Sequence, residues 1–342
     1  MIHIDGSIGE GGGQILRTAL SLSLLTGQPF HLSNIRAGRA KPGLMRQHLV
    51  CVQAAKAIGH ATVVGDQLRS TELTFTPHTV QSGHYHFPIG SAGSTMLVLQ
   101  TLLPVLMMQP QGSTLRLEGG THNPMAPTVD FIERCFLPAL TKMGVRAQIN
   151  SLKAGFFPVG GGIVEVQIEP WTDRRVLDLC ERGELQALHA YAGVQRLDAQ
   201  IAERELKTLG KQLTLSSQNI LSVDGCGQGN TALVEVVCAQ HTEVFSALGE
   251  MGRSAEQVAT RLAGAVKRYL HQSAAVDEYL ADQLLLPLAL GAGGQYTCRV
   301  VSEHTRTQAL MIERFLDKKI YIEQKQNHAL IRVQNNVSSS TS

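Results

Sequence analysis

Residues 6–27 read GSIGEGGGQILRTALSLSLLTG, a glycine-rich turn that runs straight into a helical pattern. Glycines at positions 9, 11, 12 and 13 relax the backbone around one carboxylate, Glu10, and the next charged residue before Arg36 is Arg17 alone. Gln14 and Arg17 stand three apart and share a helix face. Two readings stay open for the turn. It is a phosphate or nucleotide site with a metal on Glu10, because backbone N–H groups at a helix start favour an anion and Arg17 adds a fixed charge. Or it is a strand-to-helix turn that needs glycine for positive φ. No GK[ST] follows, so it is not a Walker A loop.

For the fold, what matters is that strand, turn and helix come round again. A strand is expected at 2–4, a helix at 13–25, a strand at 29–35, a helix at 44–58, then strands at 61–64 and 71–76. The order repeats with a strand at 84–87, a helix at 94–107, a strand at 114–118, a helix at 128–142 and strands at 146–152 and 163–168. A third cycle is split. Its first strand is 176–179, and its helix comes only at 275–290, followed by a strand at 296–301, a helix at 305–315 and strands at 320–323 and 329–333. The stretch between carries strands at 185–193 and 232–239 and helices at 197–213 and 255–270, enough for a small inserted domain. The expected architecture is α/β (α+β). Residues 1–183 and 274–335 form a large domain of three β-α-β-α-β-β units, 184–273 form a smaller α/β domain inserted in the third, and 336–342 form a disordered tail.

The bulk properties limit the partners. A net charge of +2 over 342 residues argues against coating long nucleic acid but permits recognition of one end, or of a small anion. Six scattered cysteines without a CxxC pair argue against a zinc or disulfide framework and suit a reducing, cytoplasmic compartment. The N-terminus shows no basic region followed by an apolar run, so no signal peptide is expected. The uncharged run 87–115 is broken by Gly90, Gly93, Gln100 and Pro104, which makes it a buried helix rather than a membrane span.

Several stretches bear chemistry. IRAGRAKPGLMRQ (35–47) places Arg36, Arg39, Lys41 and Arg46 within eleven residues. That is a phosphate grip, since guanidinium groups bind phosphate oxygens bidentately, or a solvated basic loop. Gln47 follows on the next helix. Gln100, the only amide of its apolar helix, either cross-links the core or reads a ligand. FFPVGGGIVEV (156–166) is a hairpin or a close backbone approach to a ligand. His84, His86 and His122 have no metal-ligand spacing. Tyr279, Asp282 and Gln283 begin an apolar stretch, and His304 stands near the start of a late helix, beside the positive end of its dipole. A neutral ring nitrogen there could attack phosphorus; a lone histidine can equally be a capping or surface residue.

GEGGGQILR (9–17), IRAGRAKPGLMRQH (35–48), IGSAGS (89–94), PVGGGIV (158–164), EYLADQ (278–283) and the late His304 occur in an order that resembles the RNA 3′-terminal phosphate cyclase family over nearly the whole chain. The resemblance implies three β-α-β-α-β-β units, similar to the C-terminal domain of bacterial translation initiation factor three, plus a smaller insert. It implies that His304 is adenylated and that Glu10 binds the metal, Mg²⁺ or Mn²⁺. It implies that ATP is contacted by Arg17, Arg36, Arg39, Gln47, Gln100 and the segment Tyr279, Leu280, Ala281, Asp282 and Gln283. The implied reaction makes a 2′,3′-cyclic phosphate at an RNA 3′-phosphate end, without a membrane partner, and a homodimer is compatible with it. One departure stands out: the family usually has Arg or His before the glycine preceding PxGGG, and here Ala154 precedes Gly155. Two other readings are a non-catalytic cyclase-like protein of ribosome assembly, whose relatives lack the nucleophilic histidine, and an enolpyruvyl transferase, which needs no nucleotide.

Overall fold

The structure, a computed structural model, describes residues 1–334, so the tail expected at 336–342 lies outside the described residues. Strands β1 (Ile2–Asp5) and β2 (Phe30–Ser33) run parallel, linked by helix α1 (Gln14–Thr26). After α2 (Arg46–Ile58) the chain returns through β3 (Thr62–Val64) and β4 (Leu73–Thr76), completing a sheet ordered β1-β2-β4-β3. Side chains alternate along these strands, so Ile4, Phe30, Leu32, Leu73 and Phe75 all turn to the buried face.

The second sheet has the same plan. Strand β5 (His84–Pro88), α3 (Thr95–Leu106) and β6 (Ser113–Gly119) lead into a long helical stretch, then β7 (Ala147–Lys153) and β8 (Gly162–Ile168), in the order β5-β6-β8-β7. α3 packs against both α1 and α2, which is why it is apolar all round. The uncharged run 87–115 thus divides into strand end, twelve-residue helix and strand, and no helix among the described residues is long and apolar enough to cross a membrane. The helix expected at 128–142 is not uniform. It is α4 (Val129–Phe131), a π-helical turn (Ile132–Phe136) and α5 (Leu137–Lys142). Pro138 has no N–H to direct at the residue-134 carbonyl, as an unbroken α-helix would require, so the wider turn falls there.

After β9 (Leu177–Leu179) the chain leaves for a separate sheet, built from β10 (Leu185–Gln195), β11 (Ser217–Ile220), β12 (Gly229–Cys238) and β13 (Thr242–Leu248), in the order β11-β10-β12-β13. Helices α6 (Gln200–Gln212) and α7 (Ala255–Leu270) cover it, and together they bury an apolar cluster of their own, from Leu188 to Tyr269. Strands β11 and β13 were not expected from the sequence. β11 is a short, mostly polar segment held by parallel pairing to β10. The remaining chain, α8 (Glu278–Leu290), β14 (Gly294–Cys298), α9 (Glu303–Phe315), β15 (Lys319–Gln324) and β16 (Ala329–Gln334), closes a sheet ordered β15-β16-β14-β9. β14 pairs parallel with the distant β9. α8 starts later than expected because Val276 pairs with Cys298 and Asp277 is the N-cap. The fold is mixed α/β, and α1, α8 and α9 pack side by side, with α3 on α1.

Candidate active site

Where α1, α3, α8 and α9 converge they leave a cavity. Its polar lining is Gln14, Arg17, Thr18, Gln100, Asp282, Gln283 and Gln308, and its apolar lining includes Leu103, Pro104, Phe136 and Leu286. His304 reaches the same place from α9. The Ser302 side chain accepts the Thr305 N–H at 3.2 Å, which starts α9 at Glu303 and puts His304 in its first turn, exposed.

Gln14 determines how that ring is held. Its Nε2 donates to Asp282 Oδ2 at 3.1 Å and to the His304 carbonyl at 3.2 Å, and lies 3.4 Å from Gln308 Oε1. A backbone carbonyl only accepts, so the amide is oriented with Oε1 toward the ring, 2.8 Å from His304 Nδ1. Nδ1 therefore carries the proton, and in the neutral ring Nε2 keeps its lone pair. Gln308 is fixed in turn by Thr18 Oγ1 at 2.6 Å. Burial, opposed by the attraction of Arg17, pushes Asp282 up to about 7.

Arg17 lies partly buried on the cavity wall, and its guanidinium forms no hydrogen bond or ion pair with another described residue. Burial lowers its pKa, countered in part by Glu10 and Asp282. A withdrawn, unpaired cation is a ready anion site. Beside it, burial followed by Arg17 and Arg36 pulls His48 down to about 3. Its ring is thus neutral, and its Nδ1 accepts the Met45 N–H at 3.1 Å. The ring packs on the start of α1, where a Cβ on Gly13 would stand 2.5 Å from His48 Nε2 and 2.8 Å from Arg17 Nη1.

The glycine turn is tied to α9. Glu10 N donates to Thr307 Oγ1 at 3.0 Å, and Gly9, at φ +58°, would drive a Cβ to 2.2 Å from that oxygen. Glu10 Oε1 pairs with Arg39 at 2.7 Å, and its Oε2 accepts the Gly12 N–H at 2.9 Å. Glu10 belongs to no group of three or more clustered His, Cys, Asp or Glu side chains among the described residues. One carboxylate in a glycine-rich turn suits Mg²⁺ or Mn²⁺, which commonly takes one or two carboxylates and completes its shell with water and substrate phosphates.

The other expected residues divide. Gln100 donates to Gln283 across the cavity, and Gln283 Nε2 bonds the Tyr279 carbonyl at 2.6 Å. Tyr279 is exposed at the mouth of α8, whereas Leu280 and Ala281 are fully buried, so their side chains face the core and not a ligand. Arg36 closes its own loop by donating to the carbonyls of Lys41 at 2.6 Å and Gly43 at 3.1 Å. Gln47 spends its amide on the Ser94 backbone and lines a second hollow with Asn123 and Phe157. His122 is held between Thr121 Oγ1 at 2.8 Å and Asp130 Oδ2 at 3.0 Å, and it stacks on Phe156. Ala154 donates its N–H to Asp224 O at 2.7 Å, beside β10–β13 rather than in the cavity. Thr18, His48, Thr307 and Gln308 were not picked out by their sequence, and Gln14 was noted only for sharing a helix face with Arg17. Thr307 and Gln308 lie three and four residues past His304, one helical turn along the same face, and that spacing is the signal that could have found them.

The family model described as RNA 3′-terminal phosphate cyclase matches residues 8–322. Curated proteins of that name resemble the chain along its length. The one from Salmonella enteritidis is 48% identical over 334 residues, covering 97% of this chain and 98% of its own. Those from Salmonella typhimurium and Salmonella agona are 47% identical over 334 residues and 46% identical over 341.

Proposed function

The chain is an enzyme belonging to the RNA 3′-terminal phosphate cyclase family, and from that premise we propose that it uses ATP to convert an RNA 3′-phosphate end to a 2′,3′-cyclic phosphate through a histidine–AMP adduct on His304. The observation that carries this reading is the Gln14 amide, which holds His304 by Nδ1 and leaves Nε2 free at the edge of a cavity walled by an unpaired Arg17.

His304 Nε2 attacks the α-phosphorus of ATP. An N–P bond forms, the bond to the bridging oxygen breaks, and pyrophosphate leaves. An oxygen of the RNA 3′-phosphate then attacks the phosphorus of the adduct, breaking the N–P bond and giving RNA-(3′)pp(5′)A. The neighbouring 2′-hydroxyl loses its proton and attacks the RNA phosphorus, AMP departs, and the cyclic phosphate remains. The last step needs little beyond placement, because nucleophile and phosphorus share one ribose. Arg17 and the first turn of α1, whose N-cap Gly13 supplies no side-chain cap, counter the charge that builds on the phosphoryl oxygens. Arg39, Gln100, Tyr279, Asp282 and Gln283 bind or orient the nucleotide. Arg36 and Gln47 shape the loop and helix that bring these groups together. Glu10 would hold Mg²⁺ or Mn²⁺, which supplies neutralisation of phosphate charge when bound.

We read the three sheets of like order as one β-α-β-α-β-β unit used three times, with residues 184–273 as a domain inserted in the third. The three sheets each combine one parallel pair with two antiparallel pairs, and the separate apolar cluster supports the insert. Incubation with α-labelled ATP and Mg²⁺ tests the chemistry. Label should stay on the chain in alkali, leave in acid, and be absent in His304→Ala. Equal labelling of that variant would overturn the assignment. ATP-dependent labelling also separates this reading from an enolpyruvyl transferase.

A further inference from the structure

Behind the cavity wall formed by Phe136, three metal-ligating side chains meet from two distant parts of the chain. Cys135 lies in the π-helical turn, and His241 and Glu243 stand at the start of β13. All three are buried, at 0%, 4% and 1% exposure. Cys135 Sγ is 3.0 Å from Glu243 Oε1, His241 Nε2 is 3.4 Å from Glu243 Oε2, and the three donor atoms lie within 4.8 Å of one another. Among the described residues no other group of three His, Cys, Asp or Glu side chains comes this close.

We propose that Cys135, His241 and Glu243 bind a Zn²⁺ ion that fastens β13 to the π-helical turn. Thiolate, imidazole and carboxylate are the three ligand types that zinc takes from proteins. A tetrahedral ion with bonds of about 2.3 Å to sulfur and about 2.0 Å to nitrogen or oxygen separates its ligand atoms by about 3.3–3.5 Å, close to the two contacts that Glu243 makes with Cys135 and His241. Charge also balances. A thiolate, a carboxylate and a neutral imidazole cancel the two charges of the ion, so the core gains no net charge. Glu243 has no Lys or Arg partner among the described residues, and its salt bridge is with His241 alone.

The cluster sits at a junction. The Asp277 N–H donates to Glu243 Oε2 at 2.8 Å, so the N-cap of α8, the helix that carries Tyr279–Gln283, rests on the same carboxylate. Asp277 is itself buried, and its carboxyl stands outside the group of three donor atoms. The site is distinct from Glu10 in both ligand type and position. It calls for a borderline-soft transition metal, whereas Glu10 offers a lone hard oxygen donor.

Metal analysis of the full-length protein, expressed in zinc-supplemented medium and dialysed, tests the site. About one zinc per chain is expected, with an X-ray absorption spectrum that shows one sulfur neighbour at about 2.3 Å among nitrogen or oxygen neighbours. Cys135→Ala and His241→Ala should each lower zinc content about tenfold or more, while Cys226→Ser, at an exposed thiol, should leave it unchanged. Wild-type protein with less than about a tenth of a zinc per chain overturns the proposal, as does a spectrum without sulfur or unchanged zinc in both variants. If the alanine variants do not fold, the wild-type content and spectrum decide the matter alone.

Discussion

Three carboxyl groups among the described residues, Asp277, Asp282 and Glu205, are pushed up to about 7 by burial, and the last two do different things there. Asp282 stands in the cleft, takes a hydrogen bond from Gln14, and is joined through that amide to His304, Gln308 and Thr18. Glu205, on α6 over the β11-β10-β12-β13 sheet, takes one bond from Asn230 at 2.8 Å and leaves its other oxygen buried without a partner. The shift alone does not mark a functional group, because desolvation raises any carboxyl it acts on. What separates the two is connection. Asp282 orients Gln14, whose other end holds the exposed His304 ring, whereas Glu205 is a cost carried inside the fold.

The largest effect should come from cutting that connection at its centre. Gln14→Ala frees the His304 ring, and its self-labelling by ATP in a single turnover should slow roughly 100-fold, the scale of a reacting group displaced by about 1 Å. The thermal midpoint should stay near that of the parent. A labelling rate within twofold of wild type would remove Gln14 from the site.

A smaller change is expected from Asp282→Asn, which keeps the shape and removes the charge. Labelling should slow roughly tenfold, and the part of its pH profile near 7 should alter, since that is where the wild-type carboxyl ionises. The matching change in the other region, Glu205→Gln, should leave the labelling profile untouched. If both substitutions altered the profile alike, the distinction between the two regions would be lost.

Glu205 should instead be visible in stability. Its folded pKa of about 7 lies above the ordinary 4.5. Between those values the folded state keeps a proton that the unfolded chain has released. Stability therefore falls as pH rises from about 4.5 to about 7, by up to about 3 kcal/mol at full ionisation. Glu205→Gln should raise the thermal midpoint at pH 8, and the gain should shrink to nothing near pH 4. Calorimetry at the two pH values checks the sign. A variant destabilised at pH 8 would mean that the carboxylate is stabilising after all.

Much of the main sheets was legible in the sequence, because their strands alternate and their helices carry apolar stripes. The limits of α1, α2 and α3 fall within about two residues of expectation. What escaped was set by tertiary context. β11 is polar and exists through its pairing with β10, and the π-helical turn reflects where Pro138 falls. The site followed the same rule. Glu10, Arg17, Gln100 and His304 could be named from motif and resemblance. That Gln14 spans from α1 to His304 depends on side-chain contact across 290 residues, which no local pattern encodes. Arg36 and Gln47 look like ligand contacts in sequence, yet here they bond to backbone carbonyls or amides of their own loop and of Ser94.

Nitrogen-15 spectroscopy of the adenylylated protein, with histidine labelled at both ring nitrogens, tests the central claim most directly. Phosphorus coupling should appear at Nε2 of His304, with Nδ1 still protonated and bonded to Gln14. Coupling at Nδ1, or at no nitrogen of His304, would contradict it.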